Sequence, residues 1–257
     1  MAFTPDEVER YARHLVLAEI GGPGQQALAR ATVLIVGAGG VGSPAALYLA
    51  AAGVGTLRII DADSVSLSNL QRQILFDTAD IGRPKVEVAA DRLVAINPHT
   101  RIEALDYPVT AANAGPVIAG ADVVLDGTDD FSVRHVVNAA CIAAGVPLVS
   151  GALGRWSGQV GVFEGQPCYR CLVPETPPDA ETCARVGVVG ALAGVIGAMA
   201  ALEAIKIITG AGESLAGRLL LYDGLSATGR TVAVTPDPAC PVCGGGQGAK
   251  VEGRKTP

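Results

Sequence analysis

Among positions 61 to 85 stand Asp61, Asp63, Asn69, Arg72 and Lys85, whose carboxylates, amide, guanidinium and ammonium could together handle a nucleotide. All follow a glycine-rich run, Gly37-Ala38-Gly39-Gly40-Val41-Gly42. In a strand–turn–helix setting, a GxGxxG run turns backbone N–H groups toward phosphate at a helix N-terminus, and glycine permits the close approach. Gly37, Gly39, Gly40 and Gly42 are therefore candidate phosphate-binding positions. Asp61, at the end of the next predicted strand, is placed to accept hydrogen bonds from ribose hydroxyls. On these residues alone an NAD-dependent oxidoreductase with a Rossmann fold is the favoured reading, ahead of a glycine turn that binds no ligand.

The residues after Asp61 shift the balance. A nicotinamide pocket is apolar, whereas Asp61-Ala-Asp63-Ser-Val-Ser-Leu-Ser-Asn69-Leu-Gln-Arg72-Gln73 sets an amide and a guanidinium beside the nucleotide. Arg72 suits bidentate contact with phosphate oxygens, and Lys85 suits a point-charge contact. Asp129, in Asp126-Gly-Thr-Asp129-Asp130 after another predicted strand, is a candidate magnesium carboxylate, direct or through water. Together these groups suit neutralisation of a triphosphate under attack at its α-phosphate. Any one of them alone would read as a solvated surface charge.

Four of the six cysteines form two CxxC pairs, Cys168-Tyr-Arg-Cys171 and Cys240-Pro-Val-Cys243. Two such knuckles meeting in space complete a closed tetrahedral Zn²⁺ site; redox pairs and inert thiols are the alternatives. Cys141, among Ala and Ile in a predicted helix, reads as a small core residue. Cys183 ends an acidic, proline-rich stretch before an apolar helix, where helix N–H groups favour a thiolate. It is a candidate nucleophile, with a free loop thiol as the alternative.

The elements that must position these residues follow from hydrophobic pattern and breakers. Ala31–Val36 and Thr56–Ile60 read as buried strands on either side of a helix over Ser43–Ala52, a βαβ unit. An N-terminal helix starts near Thr4-Pro5-Asp6. Further helices are expected over Lys85–Ile96 and Ser132–Ala144, the latter stopped by Gly145. Further strands are expected over Thr100–Leu105, Asp122–Asp126 and from Pro147. Beyond Gly151 the pattern changes to antiparallel strands: Trp156–Phe163, then Arg218–Tyr222 and Arg230–Val234 as a hairpin with a longer loop around Asp223-Gly224. The fold class is α/β, a Rossmann-like nucleotide-binding domain with a mixed sheet, parallel in its N-terminal half and antiparallel in its C-terminal strands. A single domain over 1–257 is expected, with 244–257 as a mobile tail.

Bulk properties narrow the partners. The 257 residues are 49% hydrophobic and 17% charged, which fits a substantial core and argues against disorder. A formal net charge of −6 disfavours a general nucleic-acid surface. The N-terminus lacks a basic, apolar leader, and cysteines in CxxC pairs without an export signal point to a reducing cytoplasm. The apolar stretch Val186–Leu202 is slightly short for a membrane span and runs into Glu203 and Lys206, so a buried helix is expected and no membrane association.

Taken together, GAGGVGS at 37–43, DADSVSLSNLQRQ at 61–73, the Gly82-Arg-Pro-Lys85 turn and the Thr128-Asp129 turn resemble the MoeB/ThiF/HesA group of ubiquitin-activating-enzyme-like adenylyltransferases. The resemblance covers nearly the whole chain, from Arg10-Tyr11-Ala-Arg13 to Cys240-Pro-Val-Cys243. It implies ATP and Mg²⁺ as cofactors, with structural Zn²⁺ on Cys168, Cys171, Cys240 and Cys243. It implies adenylation of the C-terminal glycine of a small ubiquitin-like sulfur-carrier protein, priming it for thiocarboxylate formation. The molybdopterin-synthase small subunit is favoured over thiamine or other carriers. It further implies phosphate contacts from Asn69, Arg72 and Lys85, ribose binding by Asp61, and magnesium support from Asp129. Arg13 is similar to an arginine that reaches the partner's site, which implies a homodimer. Cys183 is similar to a family cysteine that bonds covalently to the carrier. Because the chain ends soon after its last CxxC, a separate sulfur donor is expected. Asp130 departs from a common Asn, and His14 from a common Gln. A non-catalytic scaffold for a ubiquitin-like partner is the remaining alternative.

Overall fold

The computed structural model describes residues 3–176 and 187–244. Eight strands form one sheet: β1 Thr32–Val36, β2 Thr56–Ile60, β3 Arg101–Leu105, β4 Val123–Asp126, β5 Leu148–Leu153, β6 Ser157–Phe163, β7 Arg218–Asp223 and β8 Thr228–Ala233. Their order is β3-β2-β1-β4-β5-β6-β7-β8. The pairs up to β4–β5 are parallel, and those from β5–β6 onward are antiparallel. The expected parallel half and antiparallel half are both present and share one continuous sheet. Strand order reverses at β1, with β2 on one side and β4 on the other. A crevice at such a reversal, outside the carboxyl ends of the strands, is where open α/β sheets bind ligands.

The helices are α1 Pro5–Arg10, α2 Ala12–Leu15, α3 Gly21–Arg30, α4 Gly42–Ala51, α5 Lys85–Ile96, α6 Ala114–Ile118, α7 Phe131–Ala144, α8 Tyr169–Leu172 and α9 Gly190–Thr209. Thr4 and Glu7 close a capping box on α1, so that helix begins where its sequence signal lies. Gly145, in left-handed conformation at φ 65°, ends α7 as expected. Two differences from the sequence expectations stand out. The β7–β8 loop is short, only Gly224–Ala227, because strand pairing continues out to Asp223 with Thr228. The apolar helix is shifted toward the C-terminus, starting at Gly190 and continuing to Thr209.

By length and composition α9 alone among the described helices is long and apolar enough to cross a membrane. Here it lies along α3 and α4 and over β5 and β6, with Leu192, Ala193, Ile196, Ala200 and Ala204 in the core. Its buried Glu203 is neutralised by Lys206 at 2.5 Å and accepts the Leu215 N–H at 2.7 Å. One layer of core joins this face of the sheet to α4, α5 and α9. A second, on the other face, packs Leu34, Val124, Leu148 and Phe163 against α6, α7 and Tyr169.

Candidate nucleotide site and cysteine centre

The glycine run is the turn from β1 into α4. Gly37 has φ +88°, a conformation side chains rarely adopt. A Cβ on Gly42 would lie 1.8 Å from the Gly37 carbonyl oxygen, so α4 can start this close to β1 only with glycine there. Among the described residues the N–H groups of Gly39 and Gly40 donate no hydrogen bond, which leaves them free for an anion at the start of α4.

Asp61 follows β2 and faces this turn. Its Oδ2 accepts the Ala38 N–H and its Oδ1 the Asp63 N–H, each at 2.8 Å. Each oxygen retains a further lone pair for a hydroxyl. Burial holds the Asp61 carboxyl above its ordinary range, against the opposing pull of the Lys85 charge. Lys85 opens α5 and is 3% exposed. Its ammonium donates to Asp63 Oδ2 at 2.7 Å and lies 3.9 Å from Asp61 Oδ2. A buried ammonium beside two carboxylates is a charge held ready beside the glycine turn.

Asn69 to Gln73 lie across the turn. The would-be Cβ of Gly40 meets the Arg72 side chain at 3.6 Å, and that of Gly39 meets Gln73 Nε2 at 3.8 Å. Among the described residues the Arg72 guanidinium donates only to the Ser68 carbonyl, at 3.1 Å. The Asn69 side chain has no hydrogen-bond partner among the described residues. Gln73 is buried with its Oε1 unpartnered. Its place against Gly39 marks it as a neighbour of the site that chain position alone did not single out.

Asp129 lies on the turn after β4, on the other side of the strand-order reversal. Gly127 brings that turn within contact of Gly42 and Val41. Asp126 fixes it from inside, accepting the Thr128 N–H at 2.9 Å and hydroxyl at 2.8 Å. The Asp129 carboxylate is exposed and makes no hydrogen bond or ion pair among the described residues. An exposed, uncommitted carboxylate is the donor chemistry Mg²⁺ takes, with water completing its shell. Asp130 is committed elsewhere. Its Oδ1 accepts from the Ser132 N–H and hydroxyl and from the Val133 N–H, capping α7. Those donors hold its carboxyl below the usual range. Asn and Asp cap helices about equally well, so the departure from a common Asn leaves the cap in place.

Arg13 stands exposed on α2, which packs on α1 and α3, so the chain does not bring it to its own glycine turn. Beside it, His14 Nδ1 meets Gln25 Oε1 at 2.9 Å. Cys183 lies outside the described residues, as do residues 245–257 of the expected tail.

The two CxxC knuckles meet. The Cys168 and Cys240 sulfurs lie 3.7 Å apart and the Cys171 and Cys243 sulfurs 3.4 Å apart, with all four within 4.8 Å of one another. Four sulfurs around one Zn²⁺ at about 2.3 Å stand about 3.8 Å apart, so the cluster needs little adjustment to take the ion. Around the sulfurs, Asn138 Nδ2 donates to Cys168 and the Asp237 N–H to Cys171, each at 3.5 Å. Donors to thiolate sulfur steady such a centre. Cys141 is a buried core thiol, 1% exposed.

A cavity of about 780 Å³ opens on the sheet between Ala152–Gly154, Ser157–Gln159 and the β7–β8 hairpin. It begins where β5 leaves the crevice, next to Gly151, whose would-be Cβ meets Val41 of the glycine turn at 2.8 Å.

Residues 11–242 match the ThiF family. The molybdopterin-synthase adenylyltransferase of Escherichia coli is 47% identical over 241 residues, covering 93% of this chain and 97% of the relative. The sulfur carrier protein ThiS adenylyltransferase of the same organism is 48% identical over 239 residues, covering 92% and 95%. A crystal structure of E. coli MccB with MccA-N7isoASN superposes with a TM-score of 0.81 over 92% of this chain and 75% of that one, at 23% identity, a likeness of fold.

Proposed function

The chain belongs to the ThiF family, and on that footing we propose that it transfers AMP from ATP to the C-terminal glycine carboxylate of a small ubiquitin-like sulfur-carrier protein. The observation that carries this reading is the gathering of Asp61, Arg72 and Lys85 around glycine N–H groups that donate no hydrogen bond among the described residues, with Asp129 uncommitted on the turn after β4. A carboxylate oxygen of the carrier attacks the α-phosphorus, the bond to the bridging oxygen breaks, and pyrophosphate leaves with its charge. In this reading the glycine turn and Asp61 orient the nucleotide. Arg72 and Lys85 stabilise the charge that spreads over the phosphate oxygens, and Asp129 holds Mg²⁺. Mg²⁺, when bound there, would supply charge neutralisation for the phosphate oxygens. Nothing in these residues favours a hydride acceptor, which needs an apolar pocket rather than this polar set.

The cavity on β5–β8 suits the carrier's tail, since it opens beside Gly151 at the crevice and is lined in part by the polar side chains of Gln159 and Arg230. Identities of 47% and 48% to activators of two different carriers weigh the two pathways alike. The molybdopterin-synthase small subunit is the first carrier to test and the thiamine carrier the second. Sulfur then arrives from a separate donor.

A homodimer with composite sites is part of the proposal. Arg13 faces outward near a patch on which Val16, Leu17, Tyr48 and Leu202 are exposed, beside a hollow lined by His14, Tyr48, Ala201 and Leu202. Apolar groups grouped in this way are characteristic of a surface covered by another chain. Incorporation of labelled pyrophosphate into ATP, dependent on one of the carriers, tests the reaction. Absence of exchange with every carrier sinks the adenylation reading, and exchange that survives Arg72→Ala sinks the assignment of the site.

A further inference from the structure

Arg134 is buried, 4% exposed, yet among the described residues it has no salt-bridge partner. An unpaired buried guanidinium is costly unless its N–H groups are fully used. Here they are spent on one place. Nη1 donates to Ser150 Oγ at 2.9 Å, and Nη2 donates to the Gly151 carbonyl at 2.7 Å and to the Thr128 carbonyl. The guanidinium carbon also sits 5.8 Å from the centre of the Tyr169 ring, in the first cysteine knuckle. None of these contacts closes a helix or strand. They join the end of β4 to β5 at the mouth of the crevice.

Thr128 precedes Asp129, and its peptide is held on both faces. Its N–H and hydroxyl go to Asp126, and its carbonyl goes to Arg134. On the other side Asp130 is fixed as the cap of α7. Among the described residues the Asp129 side chain is left uncommitted. We infer that Arg134 is a positioning residue, whose buried guanidinium sets the Thr128–Asp129 peptide so that the Asp129 carboxylate meets Mg²⁺ in one orientation. The inference rests on the reading of Asp129 as the magnesium carboxylate. Lysine cannot substitute, because three acceptors in different directions need a planar fork and not a point charge.

The test uses the full chain with Arg134→Lys, and two readouts. Without nucleotide, hydrogen exchange of the backbone amides over residues 127–130 should speed at least tenfold, with exchange in β1 and β2 unchanged. With ATP, the Mg²⁺ concentration giving half-maximal tight binding by calorimetry should rise at least fivefold, while ATP binding in EDTA stays within twofold. Arg134→Lys placed on Asp129→Asn should add no further Mg²⁺ effect. An unchanged Mg²⁺ midpoint, unaltered local exchange, or a full second shift on Asp129→Asn would overturn the inference. Uniformly faster exchange across the sheet would mean a structural role only and also overturn it. Should Arg134→Lys not fold, Ser150→Ala removes one acceptor and keeps the charge, and the same outcomes apply to it at reduced size. If the unmodified protein binds no ATP with Mg²⁺, the adenylation reading fails, and the exchange readout still decides whether Arg134 orders the turn.

Discussion

At the scale of single residues, charge and burial work against each other around Asp61. The folded chain holds the Asp61 proton more tightly than an unfolded chain would. Its ionised form therefore costs stability at neutral pH, and that cost disappears as pH falls below about 4. Ribose recognition runs the opposite way, because protonation removes an acceptor as pH falls through the raised value. As pH is lowered from 7, ATP affinity should begin to fall at a higher pH than an ordinary carboxylate dictates, and more steeply for the native chain than for Asp61→Asn, which starts weaker by about tenfold and has no such step. Parallel curves would remove Asp61 from the ribose contact. Arg72→Ala should lower pyrophosphate exchange by at least about 100-fold with little change in melting temperature, since among the described residues its guanidinium donates only to the Ser68 carbonyl. Residues of this kind were readable from sequence because their types and spacing carry the chemistry. Arg134 was not, since a lone arginine within a helix gives no sign that it reaches carbonyls on both sides of that helix, Thr128 before it and Gly151 after it.

At the scale of elements, the start of α9 is a wall of the site. A Cβ on Gly190 would lie 2.1 Å from the Gln71 carbonyl oxygen, next to Arg72, whereas one on Gly194 would meet nothing within 4 Å. Gly190→Ala should therefore push the Asn69–Gln73 segment, cost about 1–3 kcal/mol and raise the KM for ATP. Gly194→Ala should gain about 0.5–1 kcal/mol from helix propensity and leave KM alone. Thermal melts and exchange kinetics on the pair check this, and equal behaviour of the two variants would refute it. Strands β1, β2 and β4 were legible because each is a short apolar run bounded by turn residues. The helix α3 was not, since Gly21-Gly-Pro-Gly24 reads as a loop. It becomes helical by laying Gly24, Gln25 and Leu28 against α9 and the core, a tertiary gain no local pattern announces. The start of α9 was misjudged for the opposite reason. Its apolar composition hides its N-terminus, where Val189 is extended and offers no side-chain cap.

At the scale of the whole molecule, the proposed dimer makes a strict prediction. Arg13→Ala and Arg72→Ala subunits, each inactive, should regain about a quarter of native exchange when mixed and allowed to reassort, because half the dimers then carry one intact composite site. No recovery on mixing would place Arg13 outside the partner's site. The cysteine centre acts at the same scale. Purified, reduced protein should carry about one Zn²⁺ per chain, and Cys171→Ser should lose it and melt several degrees lower. Metal content and a melting curve check both. That centre was foreseeable as two knuckles, but their meeting depended on α7, whose Asn138 receives the Tyr169 N–H at 2.9 Å and reaches the Cys168 sulfur.

Cys168 and Cys240 stand 72 positions apart, and the chain between them includes α9 and the whole β7–β8 hairpin. A metal bound there is a latch on a long loop. While it is closed, the ends of the segment that carries α9 and the hairpin are held together. Loop-closure entropy grows slowly with loop size, so the latch limits the unfolded chain whatever the loop contains. The lifetime of the native state would then be governed by how fast the ion escapes. A chelator should shorten that lifetime many-fold and lower the melting temperature with it.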